Sequence, residues 1–97
     1  MSEQKTDKEI TIDFPEHIRG GVYSNNMVVS HTPEEFIMDF IMIAPPKGTL
    51  TARVIMSPGH MKRTISALQD NLKRYEDRFG KVREAAEPEK GKPDLHK

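Results

Sequence analysis

The chain has 97 residues, with 15 Lys and Arg against 15 Asp and Glu, no cysteine and no tryptophan. That length allows one small domain, and the lack of cysteine excludes a disulfide scaffold and any Cys-ligated zinc or iron–sulfur site. Zero formal net charge removes the simplest argument for nucleic acid or an acidic membrane as partner. The longest apolar run, Ile41-Met42-Ile43-Ala44, is too short to span a bilayer. Met1 to Lys5 carry charge with no apolar stretch behind it, so they do not read as a secretory signal. A cytoplasmic location without membrane contact is the expectation.

Residues 1–8 hold no strongly apolar side chain and are expected to be a disordered tail. Ile10-Thr11-Ile12-Asp13-Phe14 alternates apolar and polar residues, a short strand signal stopped by Pro15. Gly20-Gly21 marks a turn before a second extended stretch from Val22 to His31, in which Asn25-Asn26 suggests a bulge or a local break. Thr32-Pro33-Glu34-Glu35 has turn chemistry, and a third strand is expected over 36–43. Ala44-Pro45-Pro46-Lys47-Gly48 reads as the next connection, leading to a fourth strand over 50–56. Ser57-Pro58 then supplies an N-cap followed by proline at the first helical position. Met61, Ile65, Leu68, Leu72, Tyr75 and Phe79 make one apolar stripe at alternating spacings of four and three, and Gly80 stands where a helix stops. The spacing predicts a helix over 58–79, about 33 Å long. Residues 83–97 are mainly Glu, Lys, Pro, Ala and Gly and read as a second disordered, charged tail. The domain is thus 9–82, of α+β class: an antiparallel sheet of three to four strands followed by one long C-terminal helix packed on it.

A stripe of this spacing suits a short coiled coil or a core-facing helix, and the second is expected here. The five methionines between 27 and 61 are read as core filler. On the strand over 36–43, Phe36, Met38, Phe40 and Met42 point one way and Ile37, Ile41 and Ile43 the other, beside Asp39. A strand apolar on both faces is normally covered on both, and one helix covers one face. Self-association, as a homodimer, is the economical cover for the second. The residues singled out for the self-contact are Tyr23, Ile37, Ile41, Ile43 and Ile55. Whether the strand over 10–14 pairs with its own sheet or with a neighbouring subunit's is left open.

Candidates for chemistry are sparse. The four histidines have no metal-like spacing, and no His-Glu-x-x-His occurs. His60, in the first helical turn, reads as a surface or capping residue. Asp39 is the odd acid on an apolar strand face, and Arg53 on the next strand is its expected cross-strand partner. No serine has a nucleophile elbow, and Gly20-Gly21 is no phosphate loop. No enzyme, catalytic residue, metal site or cofactor is expected. One asymmetry of charge stands out: residues 58–83 carry seven basic against three acidic side chains, net +4. Lys62, Arg63, Lys73, Arg74 and Arg78 offer an anion or nucleic-acid contact as the alternative function, while i,i+4 pairs such as Asp70–Arg74 and Lys73–Asp77 offer a solvated face instead.

Tyr23-Ser24-Asn25, Glu35-Phe36 with Asp39-Phe40, Ala52-Arg53-Val54, Met56-Ser57-Pro58 leading to His60, Leu68-Gln69-Asp70-Asn71, Tyr75-Glu76 and Phe79-Gly80 together resemble a small prokaryotic family catalogued as a domain of unknown function. The resemblance runs from about Gly21 to Gly80. It implies a strands-then-helix domain of bacteria and archaea, and it carries no activity and no site residue. The function expected is therefore that of a small non-enzymatic interaction or structural module that associates with itself.

Overall fold

A computed structural model describes residues 9–87 of the chain. The expected tail over 1–8 and the part of the tail expected over 83–97 that runs from 88 to 97 lie outside those residues, while 81–87 has no regular structure. A single 3₁₀ turn, Glu16–Ile18, precedes three strands, β1 (Asn26–His31), β2 (Phe36–Ala44) and β3 (Lys47–Met56), and one helix, α1 (Pro58–Phe79). The strands form an antiparallel meander with β2 at the centre. The α+β class holds, with three strands.

The expected strand over 10–14 is absent. Ile10, Ile12 and Phe14 are 60–82% exposed and belong to no ladder of this chain. Alternation marks a segment able to pair, yet here it pairs with neither free edge of the sheet, that of β1 or that of β3. The next strand starts later than expected, because Asn25 takes over the ladder with its side chain. The Asn25 carboxamide donates to the Ile43 carbonyl at 2.9 Å and accepts from the Ile43 N–H at 2.8 Å. A side-chain amide thereby extends the β1–β2 pairing by one step, and the backbone is free to turn away.

β3 starts earlier than expected. Pro45 and Pro46, joined by a cis bond, make a two-residue turn, so that Lys47 already pairs with Ala44 and Gly48 with Ile43. Gly48 lies under two isoleucines of β2, and a Cβ there would meet them at ordinary contact distance, 3.4 Å from Ile43 Cγ1 and 3.7 Å from Ile41 Cγ2. The two isoleucines lie over the glycine and are buried, 3% and 7% exposed. A register shift between Phe40 and Ile41 leaves Thr51 as an extra residue on β3. Its hydroxyl sits 3.1 Å from the Phe40 carbonyl and 3.3 Å from that of Tyr23, which ties the incoming chain to the sheet.

α1 matches its expected bounds. Ser57 Oγ accepts from the His60 N–H at 3.2 Å, Pro58 occupies the first turn, and Gly80, at φ 102°, ends the helix with its N–H on the Glu76 carbonyl. Its packing departs from expectation. Met61 is the one buried residue of the helix. Thr64 reaches Met56 at the end of β3, with oxygen and sulfur 3.3 Å apart. Beyond that first turn and a half the stripe does not lie across the sheet: Ile65, Leu68, Leu72, Tyr75 and Phe79 are 48–66% exposed. Met38 and Met61 are core, as expected of methionine filler, and Met27 is exposed.

Candidate functional site

Four places in the fold could carry function: the Asp39–Arg53 pair, the basic residues of α1, the isoleucine face of β2 and the stripe of α1. Asp39 and Arg53 face each other across β2 and β3. Arg53 Nε donates to Asp39 Oδ1 at 2.6 Å and its NH2 group to Oδ2 at 3.0 Å, a two-point contact of guanidinium on carboxylate. The Asp39 side chain is 3% exposed and that of Arg53 47%. Those hydrogen bonds hold the Asp39 carboxyl below its ordinary value; burial pushes it up, and the charge of Arg53 pulls it down again. Arg53 is raised in turn, first by the same hydrogen bonds and then by the charge of Asp39. A general acid at neutral pH needs the opposite shift, so this pair is built to stay ionised and to lock two strands in register.

The basic residues expected to meet an anion are divided by acids. Arg74 pairs with Asp70 at 3.1 Å and Lys73 with Asp77 at 3.0 Å, each one turn apart. Arg63 lies 3.1 Å from His60 Nδ1, and Arg78 stacks 5.3 Å from the centre of the Phe79 ring. On a helix of 3.6 residues per turn, Asp70 and Asp77 fall inside the arc that Lys62, Arg63, Lys73, Arg74 and Arg78 cover. The middle of that arc points away from the apolar stripe and has the character of a solvated face, while Lys62 and Arg78 at its two margins flank the stripe. Beside it, from His60 to Leu68, an open hollow is lined by α1 alone and encloses nothing. Among the described residues no three His, Cys, Asp or Glu side chains come together to hold a metal ion. No helix of the described residues is long and apolar enough to cross a membrane.

The residues expected to make the self-contact are divided by the fold. Tyr23 and Ile55 are exposed and Ile37 is half-buried, but Ile41 and Ile43 are already covered within the chain. As the chain stands, those two side chains offer a partner almost no apolar area. Besides Met27, Val29, Leu50 and Val54 on the sheet, most of the exposed large apolar side chains fall in two other parts. One part is the segment holding Ile10, Ile12, Phe14, Ile18 and Val22. The other is the α1 stripe, where Tyr75 and Phe79 stack with ring centres 4.9 Å apart. The sequence contained this second site as the stripe itself, and expecting the sheet to cover it concealed its role.

A thin three-stranded sheet with a long helix projecting from it defines an α+β domain with an uncovered apolar helix face. Residues 1–84 match the family described as "Protein of unknown function (DUF3467)", and the chain belongs to that family. No curated protein and no solved structure matches it.

Proposed function

We propose that this chain is a non-enzymatic interaction module that works as a homodimer in the prokaryotic cytoplasm. The observation that carries the reading is the α1 stripe, five large apolar side chains in succession that remain about half exposed or more. Soluble monomers rarely leave a continuous apolar stripe of this length open, and such stripes mark surfaces that meet another protein. A second copy is the simplest partner, since a two-fold contact needs only one kind of surface. The segment from Ile10 to Phe14 supports the same reading, because an alternating segment left unpaired in its own chain suits exchange with a second copy. The module is non-enzymatic in this reading because its buried carboxylate is engaged by Arg53. A chain free of cysteine suits a reducing compartment.

Light scattering and sedimentation on the full chain across a concentration series test the proposal. A dimer mass is expected, dissociating at low concentration. A monomer at every concentration would refute it. Nucleic-acid contact through Lys62, Arg63, Lys73, Arg74 and Arg78 has weaker support, because Asp70 and Asp77 interleave with them. A steep fall of nucleic-acid binding with added salt would reinstate it.

A further inference from the structure

The geometry points to one arrangement of the two copies: their α1 helices pair antiparallel about a two-fold axis at Asp70. The inference rests on the self-association proposed above and gives it a definite contact. In heptad terms Ile65, Leu72 and Phe79 take one core position of the stripe, and Met61, Leu68 and Tyr75 the other. Antiparallel pairing sets the two kinds against each other. Ile65 then faces Tyr75 of the second copy, and Leu68 faces Leu72, so the large ring meets the smaller side chain. A parallel pair would stack Tyr75 on Tyr75 and Phe79 on Phe79, two bulky layers together at one end. The exposed part of the stripe, Ile65 to Phe79, is centred on residue 72, two positions from this axis, and the outermost layer sets Phe79 over Met61 of the second copy, which is buried at the foot of its helix.

The flanking residues make the same choice by charge. Antiparallel pairing brings residues of one flank together. Lys62 meets Glu76 of the second copy, and the symmetry repeats that pair at the other end. Between them Gln69 meets its own copy on one side of the axis and Asn71 meets its own copy on the other. Each of these amides donates and accepts, so a two-fold pair of either satisfies itself. Glu76 is held in place for this contact: its Oε2 accepts from the Val82 N–H at 2.9 Å. A parallel pair would instead set Arg78 against Arg83 of the second copy, like against like, and would leave Lys62 without an acid. Asp70, on the axis, points to the outer face, where it holds Arg74.

Because the chain lacks cysteine, disulfide trapping reads the arrangement directly. Full-length Lys62→Cys and Glu76→Cys chains are mixed and oxidised, and Tyr75→Cys chains are oxidised separately. The products are resolved without reductant, and the self-association of the unmodified chain is measured alongside. Antiparallel pairing predicts a mixed 62–76 disulfide in excess over both homodisulfides, and no efficient Tyr75→Cys dimer. In a parallel pair in register the two flanking positions lie about 21 Å apart along the axis, beyond disulfide reach. A Tyr75→Cys homodisulfide without the mixed product would overturn the antiparallel inference and leave self-association standing. A dimer that yields neither product would overturn it too, since the contact would then lie off the stripe. A monomeric parent chain would remove both.

Discussion

Truncating the two central leucines of the stripe, Leu68→Ala with Leu72→Ala, separates association from folding. The side chains are 60% and 52% exposed in the chain, so each retains about half of its apolar surface for a partner. Full burial of a leucine is worth about 1.5–3 kcal/mol, which leaves about 1 kcal/mol per side chain to be gained on association. A dimer contains four of them. The double substitution therefore removes about 4 kcal/mol and weakens dimerisation on the order of a thousandfold. The fold of one chain should scarcely notice, because exposed positions changed to a strong helix former shift stability by about 0.5 kcal/mol or less. Sedimentation equilibrium gives the dissociation constant, and thermal melts at a concentration where the parent is monomeric give the folding term. An unchanged dissociation constant would refute the argument from exposed area, and a large loss of monomer stability would show that the leucines pack within the chain.

Four further outcomes follow from the same geometry. Asp39 titrates below its ordinary 3.8 in the folded chain, so the unfolded chain binds the proton first as pH falls. The stabilisation is present above 3.8 and is lost as pH drops through the lower folded value; Asp39→Asn should flatten this acid limb in melts recorded from neutral pH downward. Arg53, raised above its already high ordinary value, stays charged throughout that range and adds nothing to the slope. Met61→Ala removes the only buried side chain of α1 and should cost about 2 kcal/mol in denaturant titration, the low end for a core methionine because the site opens to water. Asn25→Ala deletes both bonds to Ile43 and should cost about 1–2 kcal/mol, with hydrogen exchange at Ile43 rising before that of the rest of β2. Dilution through the dimer–monomer transition should lower the helical circular dichroism, and a signal independent of concentration would mean that α1 stands without its partner.

How much of this was legible in the sequence depended on whether the deciding physics was local. α1 has its bounds in Ser57-Pro58 and Gly80, residues whose preferences are set by the backbone of the helix ends themselves, and those bounds hold to the residue. Asp39–Arg53 was legible because hairpin register follows from alternation once two strands are placed side by side. The start of β3 was not. Glycine and two prolines argue for a loop in isolation, while here Lys47 and Gly48 already pair with Ala44 and Ile43 in the ladder. Ile41 and Ile43, two of the five residues expected at the self-contact, are buried within the chain. Asn25 shows another limit: nothing in its sequence context reveals a side chain that stands in for backbone pairing. For the segment over 10–14 and for the stripe, periodicity identified the apolar face and said nothing of what covers it.

The exposed stripe links stability to assembly. The outer part of α1, from Ile65 to Phe79, is near the length of about 12–15 residues below which isolated helices are marginal in water, and most helices in proteins owe their stability to a packed face. α1 has its anchor only at Met61 and Thr64, near one end. The pairs Lys73–Asp77 and Arg74–Asp70 each add a few tenths of a kcal/mol, since both partners are open to solvent. That support falls short of what the outer four turns need if the stripe stays in water. Helix order and association are then one equilibrium: a partner that covers Ile65 to Phe79 stabilises the helix that presents them, and a helix held in place lowers the ordering cost of the contact. On this argument the Met61 corner sets the direction in which α1 leaves the sheet, and the stripe beyond it sets what the chain binds.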